Sequence, residues 1–384
     1  MGLRIPATFM RGGTSKGLFF LESDLPEDWE ERDALLLRVL GSPDPYGTQT
    51  DGMGGATSST SKVVIIGPSS RPDCDVDYLF GAVAIDRPFI DWSGNCGNLT
   101  AAVGPFAVAQ GLVPAAKTHP SGDRVVTVRI WQANLGAKIV ARVPLRDGLP
   151  LEEGDFVLDG VAFPSAGIEL EFIDPADTAG GIFPTGRPSD TLEVPGLGRV
   201  EASLVSAGNP AVFVEAATLG ITGRELPAEL NADAGLLARF ESVRAFGAVA
   251  MGLAASPEEA TRSRPATPKI AVVAGPASYR STAGSLVEAS SIDLVARIVS
   301  MGKVHHAMTA TGSIALAVAA AIPGTIVNRV ASGGPRASLR IGHAAGKIIV
   351  GALVERKGEE WLVSKVSMTR SARVLMTGQV HIPG

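Results

Sequence analysis

Cysteine is nearly missing from this chain: Cys74 and Cys96 are the two among 384 residues. So few thiols exclude a disulfide framework and fit a reduced, cytoplasmic setting. An excess of basic charge is missing too, with 34 Lys and Arg against 39 Asp and Glu and a net charge of −5. Nucleic acid binding needs a basic face, so it is not the expected partner. The opening Met-Gly-Leu-Arg-Ile-Pro lacks the apolar core of a secretory leader. Aromatic residues are sparse, whereas glycine is abundant at 45 residues, which points to many tight turns and close backbone approaches.

Several catalytic signatures are also missing. There is no nucleophile elbow, because Gly13-Thr14-Ser15-Lys16-Gly17 has the Gly-x-Ser-x-Gly spacing but leads into an apolar strand and not a helix; no dinucleotide-binding fingerprint follows a first strand, and there is no Walker spacing. Two uncharged runs, Trp92–Ala116 and Val304–Asn328, have the length of a membrane span. Gly and Pro interrupt both, and their apolar content is mostly Ala, Val and Gly. Buried helices fit them better, and no membrane partner is expected.

What is present centres on Ser93-Gly94-Asn95-Cys96-Gly97-Asn98-Leu99-Thr100. This polar, glycine-rich loop runs into an apolar segment, Ala101–Ala116. The pattern predicts a loop feeding the N-terminus of a buried helix, with a thiol at the junction. Such an end offers unpaired N–H groups and a positive dipole end, so it suits anions. The same field lowers the pKa of a nearby thiol, making Cys96 a candidate acid or base. Thr309-Ala310-Thr311-Gly312-Ser313 followed by Ile314–Ile322 repeats the plan. The repetition suggests two related halves, in keeping with a length that fits two domains of about 100–200 residues.

Along the chain, Arg4–Phe9 is read as a strand. Met10-Arg11-Gly12-Gly13-Thr14-Ser15-Lys16-Gly17 follows as a turn into Leu18–Leu21. That turn is either a plain hairpin loop or a carboxylate cradle made of N–H groups, Thr14, Ser15, and Arg11 or Lys16. Glu31–Leu40 reads as an amphipathic helix. The Asp51–Lys62 run is dense in Gly, Ser and Thr and leads into a strand at Val63–Ile66. Lys62 is then either a solvated strand-end lysine or a desolvated lysine able to take a proton. Asp75–Ile85 alternates as a strand, and Cys74 before it reads as an ordinary thiol. Arg124–Gln132 and Lys138–Pro144 form a hairpin, Glu169–Ile173 another strand, and Asp174–Gly186 the best linker.

The second half opens with strands near Val200–Ser206 and Ala211–Glu215, joined by the polar turn Ser206-Ala207-Gly208-Asn209-Pro210. Helices are expected at Ala228–Arg239 and within Ile292–Met301, and a buried strand at Lys269–Ala274. Further strands are read at Arg340–Ile341, Lys347–Leu353, Glu360–Ser367 and Arg373–Ile382. Adjacent His305 and His306 invite a metal reading. Neighbouring side chains diverge, however, and no Cys or carboxylate cluster completes a site, so hydrogen bonding or charge beside an anion is the favoured role. A thiol at one helix start, a lysine behind hydroxyls and a second helix start suit proton abstraction next to a carboxylate. No metal or organic cofactor is required.

The chain also resembles the PrpF family of 2-methylaconitate cis–trans isomerases and their methylitaconate-isomerase and oxalomesaconate-tautomerase relatives. The resemblance rests on Met10–Gly17, Asp51–Lys62, Asp75-Val76-Asp77-Tyr78-Leu79-Phe80, Trp92–Phe106 and Ser371-Ala372-Arg373-Val374-Leu375-Met376, and covers nearly the whole chain. It implies an α+β, diaminopimelate-epimerase-like fold, with two pseudo-symmetric halves, strands wrapped around a central helix in each, and the active site between them. The implied domains are 1–184, joined by the terminal strand 372–384, and 185–371. In the epimerases each half supplies a cysteine. Here Cys96 is the first, and Thr309 stands at the second position. The resemblance therefore implies Lys62 as principal base with Cys96 alongside it. The candidate substrate-binding residues are Arg11, Thr14, Ser15, Lys16, Ser61, Gly97, Asn98, Asn209, His305, Thr309, Ala310 and Thr311. The implied reaction converts 2-methyl-trans-aconitate, a small tricarboxylate, to its cis isomer in propionate breakdown, beside an aconitase-like 2-methylcitrate dehydratase. A homodimer is compatible with the sequence.

Overall fold

Gly13 adopts φ 51° and lets the chain reverse over two residues, so that Gly12 pairs with Ser15. The hairpin so formed, β1 (Leu3–Gly12) and β2 (Ser15–Leu21), begins the fold. The computed structural model describes residues 2–114, 124–176, 181–358 and 360–383. By compactness the chain divides into two units, residues 1–171 with 369–384, and residues 172–368.

In the first unit, α1 (Trp29–Leu40) follows the hairpin. Asp28 caps it by accepting from the Glu30 and Glu31 amides, and Gly41 ends it at φ 75°. Then come β3 (Lys62–Pro68), β4 (Val76–Val83), β5 (Ile90–Asp91) and α2 (Gly97–Ala109). They are followed by β6 (Arg124–Gln132), β7 (Ala137–Arg146) and β8 (Leu149–Pro150). A further strand, β9 (Ile168–Ile173), runs across the division. Strand β2 runs parallel to β3, β3 antiparallel to β4, and β4 parallel to β6, which pairs with β7.

Helix α2 is buried at every position from Gly97 to Val108, as a helix apolar on all sides must be. It packs against β1, β2 and β7, and Phe106 tilts onto Phe19 with ring centroids 5.6 Å apart. Burying each large apolar side chain here contributes roughly 1.5–3 kcal/mol. The helix starts earlier than the apolar run and ends at Ala109, because Gly111 turns the chain at φ 71°. The last two residues of the expected segment, 115 and 116, lie outside the described residues.

The second unit holds β10 (Asp190–Val194), β11 (Gly198–Ala207), β12 (Asn209–Glu215), α3 (Pro227–Ala232), α4 (Ala234–Ala250) and α5 (Pro257–Ser263). After these come β13 (Lys269–Ala274), a short pair β14 (Tyr279–Arg280) and β15 (Leu286–Val287), β16 (Leu294–Ser300) and β17 (Lys303–Val304). It continues with α6 (Ala310–Ala321), α7 (Ile326–Val330), β18 (Ser338–His343), β19 (Gly346–Lys357) and β20 (Glu360–Arg370), whose last two residues, Thr369 and Arg370, belong to the first unit. The pairing pattern repeats that of the first unit. A hairpin β11–β12 lies parallel to β13, β13 antiparallel to β16, and β16 parallel to β18, with buried helix α6 between the last two in sequence. The final strand, β21 (Ala372–Ile382), belongs to the first unit and pairs antiparallel with its β1.

Two sequence expectations change. The segment Ile292–Met301 is strand β16 and not a helix. Its seven residues are all buried between two neighbouring strands, where β-branched Val295, Ile298 and Val299 fit a sheet. A short segment in which one arginine interrupts apolar residues has the same look in either state. The helix expected at Ala228–Arg239 is two helices, because Asp233 leaves the helical conformation and caps α4 by accepting from the Leu236 amide at 2.9 Å. Of the expected linker Asp174–Gly186, residues 177–180 lie outside the described residues. Among the described residues no helix is long and apolar enough to cross a membrane.

Candidate active site

Strand alternation aims Ser15 and Lys62 toward the start of α2. Lys62, first residue of β3 and 7% exposed, donates from Nζ to Cys96 Sγ at 3.0 Å and to Ser15 Oγ at 3.3 Å. Its Nζ also lies 5.4 Å from the centroid of the Phe80 ring. Gly17 of β2 lies close against the Lys62 backbone, since a Cβ there would lie 2.7 Å from the Lys62 carbonyl oxygen. Cys96 is the residue before the first turn of α2. Burial pushes its thiol pKa up, but the Lys62 charge and hydrogen bond, with the Leu99 and Asn98 amides, outweigh burial and bring it down. This is the thiolate stabilisation expected of a helix start next to a cation.

A ring of buried groups holds the pair. Tyr78 donates from its hydroxyl to the Cys96 carbonyl at 3.4 Å, and Thr100 does so at 3.1 Å. Burial, then repulsion by Cys96, pushes the Tyr78 phenol well up, so it stays a donor. Ser61 is fixed by Gln49, whose Nε2 donates to Ser61 Oγ at 2.8 Å and Ser42 Oγ at 2.9 Å, while its Oε1 accepts from the Ala56 amide. Gln49 thereby folds the Ser/Thr-rich loop that delivers Lys62. Asn98 donates to Thr14 Oγ1 at 3.1 Å and accepts from Arg370 Nε at 3.3 Å. Gly97 is the first, buried residue of α2.

The two basic candidates of the first unit have contacts of their own. Arg11 Nη1 donates to the Gly13 and Ser371 carbonyls and to Ser371 Oγ, and Nη2 to Ser165 Oγ, so its guanidinium braces the hairpin turn. Lys16 lies on the opposite strand face from Ser15, with its ammonium 5.3 Å from the Phe9 ring centroid.

Within the second unit, Thr309 caps α6 by accepting from the Gly312 amide at 3.2 Å. Asn209 donates from Nδ2 to Thr311 Oγ1 at 3.0 Å. Ala310 is the first residue of α6 and is buried. Buried His305 accepts at Nδ1 from the Ala307 amide at 3.1 Å and stacks on His306 at 4.5 Å.

Gln49, Tyr78 and Arg370 were not singled out from sequence. Tyr78 lies in the Asp75–Phe80 stretch and Arg370 just before Ser371-Ala372-Arg373, so both adjoin segments that were. Gln49 left no signal beyond its place ahead of the Ser/Thr-rich loop.

A hydroxyproline epimerase from Agrobacterium vitis matches 98% of this chain and 92% of its own, with a TM-score of 0.56 at 12% identity. The shared feature at that identity is the fold, which is diaminopimelate-epimerase-like: hairpin, parallel strand and central buried helix in each unit. A crystal structure of methylitaconate-delta-isomerase matches 99% of this chain and 96% of its own, with a TM-score of 0.76 at 39% identity. The family described as PrpF protein matches residues 2–383. The chain belongs to the PrpF family. A 2-methyl-aconitate isomerase from Shewanella oneidensis is 56% identical over 99% of this chain and 97% of its own length.

Proposed function

We propose that this chain is a cofactor-independent isomerase that converts 2-methyl-trans-aconitate to 2-methyl-cis-aconitate. The observation that carries the reading is the buried contact of Lys62 Nζ with Cys96 Sγ, 3.0 Å, and Ser15 Oγ, 3.3 Å. High identity to an enzyme with that name supports the substrate.

Direct rotation about a C=C bond is too slow, so the bond must first lose its double character. In the tautomer where Cys96 holds the shared proton, the Lys62 amine takes a proton from the carbon next to the double bond. The C–H electron pair spreads over the diene and the carboxylate as a dienolate. The former C=C then turns as a near-single bond. Cys96 gives its proton back to the carbon that lost one, and proton transfer from Lys62 to the thiolate across 3.0 Å restores the pair. Thr14, Ser15, Ser61, Gly97 and Asn98 line the reacting end. Asn209, His305, Thr309, Ala310 and Thr311 supply amide, hydroxyl and first-turn N–H donors for carboxylates. The reading has Arg11 or Lys16 add positive charge for a carboxylate beside the first hairpin turn. It assigns the enzyme to propionate breakdown, after an aconitase-like 2-methylcitrate dehydratase, in the cytoplasm, where Cys96 stays reduced, and as a homodimer.

The test is NMR of 2-methyl-trans-aconitate in D2O with wild type and Lys62→Ala. Wild type is expected to isomerise the substrate with deuterium uptake, and the variant to lose about 10²- to 10⁴-fold in rate, the usual contribution of a positioned base. No conversion by the wild type sinks the substrate assignment, and turnover of 4-oxalomesaconate or methylitaconate instead would replace it.

A further inference from the structure

Gln49 is a buried amide that reaches both ends of the loop between α1 and β3. It is 1% exposed and adopts φ 50°, in the left-handed region that residues other than glycine rarely enter. Such a conformation persists only where its surroundings over-determine it, and it collects at functional sites. Here the surroundings are specific. The Gln49 backbone N–H donates to Asp44 Oδ2 at 2.6 Å, and its carbonyl accepts from the Gly52 amide at 3.2 Å. Its side-chain oxygen accepts from the Ala56 amide at 2.8 Å. A backbone N–H can only donate, so the side-chain NH2 group faces the other way. That group donates to Ser42 Oγ at 2.9 Å and to Ser61 Oγ at 2.8 Å. Ser42 follows Gly41, which ends α1, and Ser61 precedes Lys62, which begins β3. One side chain thus ties the start of the loop to its end.

The turn at 57–61 carries this hold to the reacting groups. The Ser61 amide donates to the Thr57 carbonyl at 2.9 Å, and the Ser61 carbonyl accepts from the Val83 amide at 3.1 Å, beside β4. The Ser59 carbonyl accepts from the Lys16 amide at 3.0 Å, which joins the same turn to the strand that carries Ser15. Gly54 closes the other side of the carboxamide, since a Cβ there would stand 2.3 Å from Gln49 Oε1 and 2.6 Å from Nε2. The carboxamide is therefore clamped, and with it Ser61, the residue from which Lys62 departs. From that starting point Lys62 Nζ spans to Cys96 Sγ at 3.0 Å and to Ser15 Oγ at 3.3 Å.

We propose that Gln49 is a positioning residue for the proton transfer: through Ser61 it sets the backbone from which Lys62 reaches Cys96 and Ser15. The proposal rests on the isomerase reading above and deepens it. A base that is misaimed loses rate steeply, so the effect falls on turnover more than on substrate affinity.

The experiment compares wild type, Gln49→Met, Ser42→Ala and Gly54→Ala in two ways. One is kcat and KM with 2-methyl-trans-aconitate. The other is the ultraviolet thiolate midpoint of Cys96, which reports how near Lys62 lies and needs no turnover. Gln49→Met keeps the side-chain length and removes its bonds to Ser42, Ala56 and Ser61. It is expected to lower kcat by roughly 10- to 100-fold with KM within about twofold of wild type. Its Cys96 midpoint is expected to move upward as the ammonium draws off. Ser42→Ala breaks only the bond at the start of the loop and is expected to leave kcat and midpoint near wild type. An effect of Ser42→Ala equal to that of Gln49→Met overturns the proposal, because loosening the loop anywhere would then do the same. A folded Gln49→Met with wild-type kcat, or with an unmoved Cys96 midpoint, also overturns it, since Lys62 has then kept its place. If Gln49→Met does not fold, Gly54→Ala decides: it pushes the carboxamide aside without removing a polar group, and wild-type kcat and midpoint there overturn the proposal. An upward midpoint shift in Gln49→Met, alongside a wild type that leaves 2-methyl-trans-aconitate unconverted, supports the positioning and sinks the substrate assignment alone.

Discussion

Lys62 Nζ lies 3.0 Å from Cys96 Sγ, a strand-start amine against a helix-start thiol. The contact decides the direction in which the thiol titrates. Burial by itself raises it; the Lys62 charge, the hydrogen bond and two first-turn amides lower it further than burial raises it. Cys74 has the opposite balance, since burial, reinforced by Asp73, pushes it up. The ultraviolet thiolate signal of wild type minus Cys96→Ala is expected to rise at a lower pH than an ordinary thiol, and that of wild type minus Cys74→Ala at a higher one. Lys62→Met should move the Cys96 midpoint upward. A Cys96 midpoint indifferent to Lys62 would contradict the coupling.

Gly12 tests the close approach of hairpin and helix. A Cβ there would stand 2.6 Å from the Asn98 carbonyl oxygen and 2.8 Å from Leu99 Cα, both backbone atoms that cannot turn aside. Gly12→Ala is expected to cost about 1–3 kcal/mol in urea denaturation, as overpacking does, and to lower activity by shifting the start of α2. Gly378→Ala is the control: it lies in β21, with nothing within 4 Å of the added carbon. Equal stability of the two variants would refute the steric argument.

Arg370 tests orientation against stability. Burial pulls its guanidinium down to about 10, so the charge is held at a desolvation penalty. Its Nε donates to Asn98 Oδ1 at 3.3 Å. Arg370→Met removes the buried charge, which is often worth about 1–4 kcal/mol, but leaves the Asn98 oxygen without that donor, which costs about 1–3 kcal/mol. The two nearly cancel, so stability should change by less than about 1 kcal/mol, whereas kcat/KM should drop roughly tenfold or more as Asn98 loses its orientation. An unchanged kcat/KM would assign Arg370 a packing role only.

The sequence by itself determined the local features of this protein. Apolar runs behind polar glycine loops specify α2 and α6, because a stretch with no polar face can only be a buried helix or strand. Gly13 and the alternation on either side specify the first hairpin. Lys62 at a strand mouth and Cys96 at a helix mouth follow from the same local rules. Strand β16 was not legible, since a seven-residue segment with Arg297 at its centre becomes a buried strand only when β13 and β18 are there to pair with it. The tertiary structure alone decided which groups meet. Ser15 and Lys62 are 47 residues apart in the chain, Lys62 and Cys96 34, Asn98 and Arg370 272. Arg11 and Lys16 looked equivalent to Ser15 as sequence. The pleat sends Lys16 to the other face, and hydrogen bonds draw Arg11 to Ser371 and Ser165.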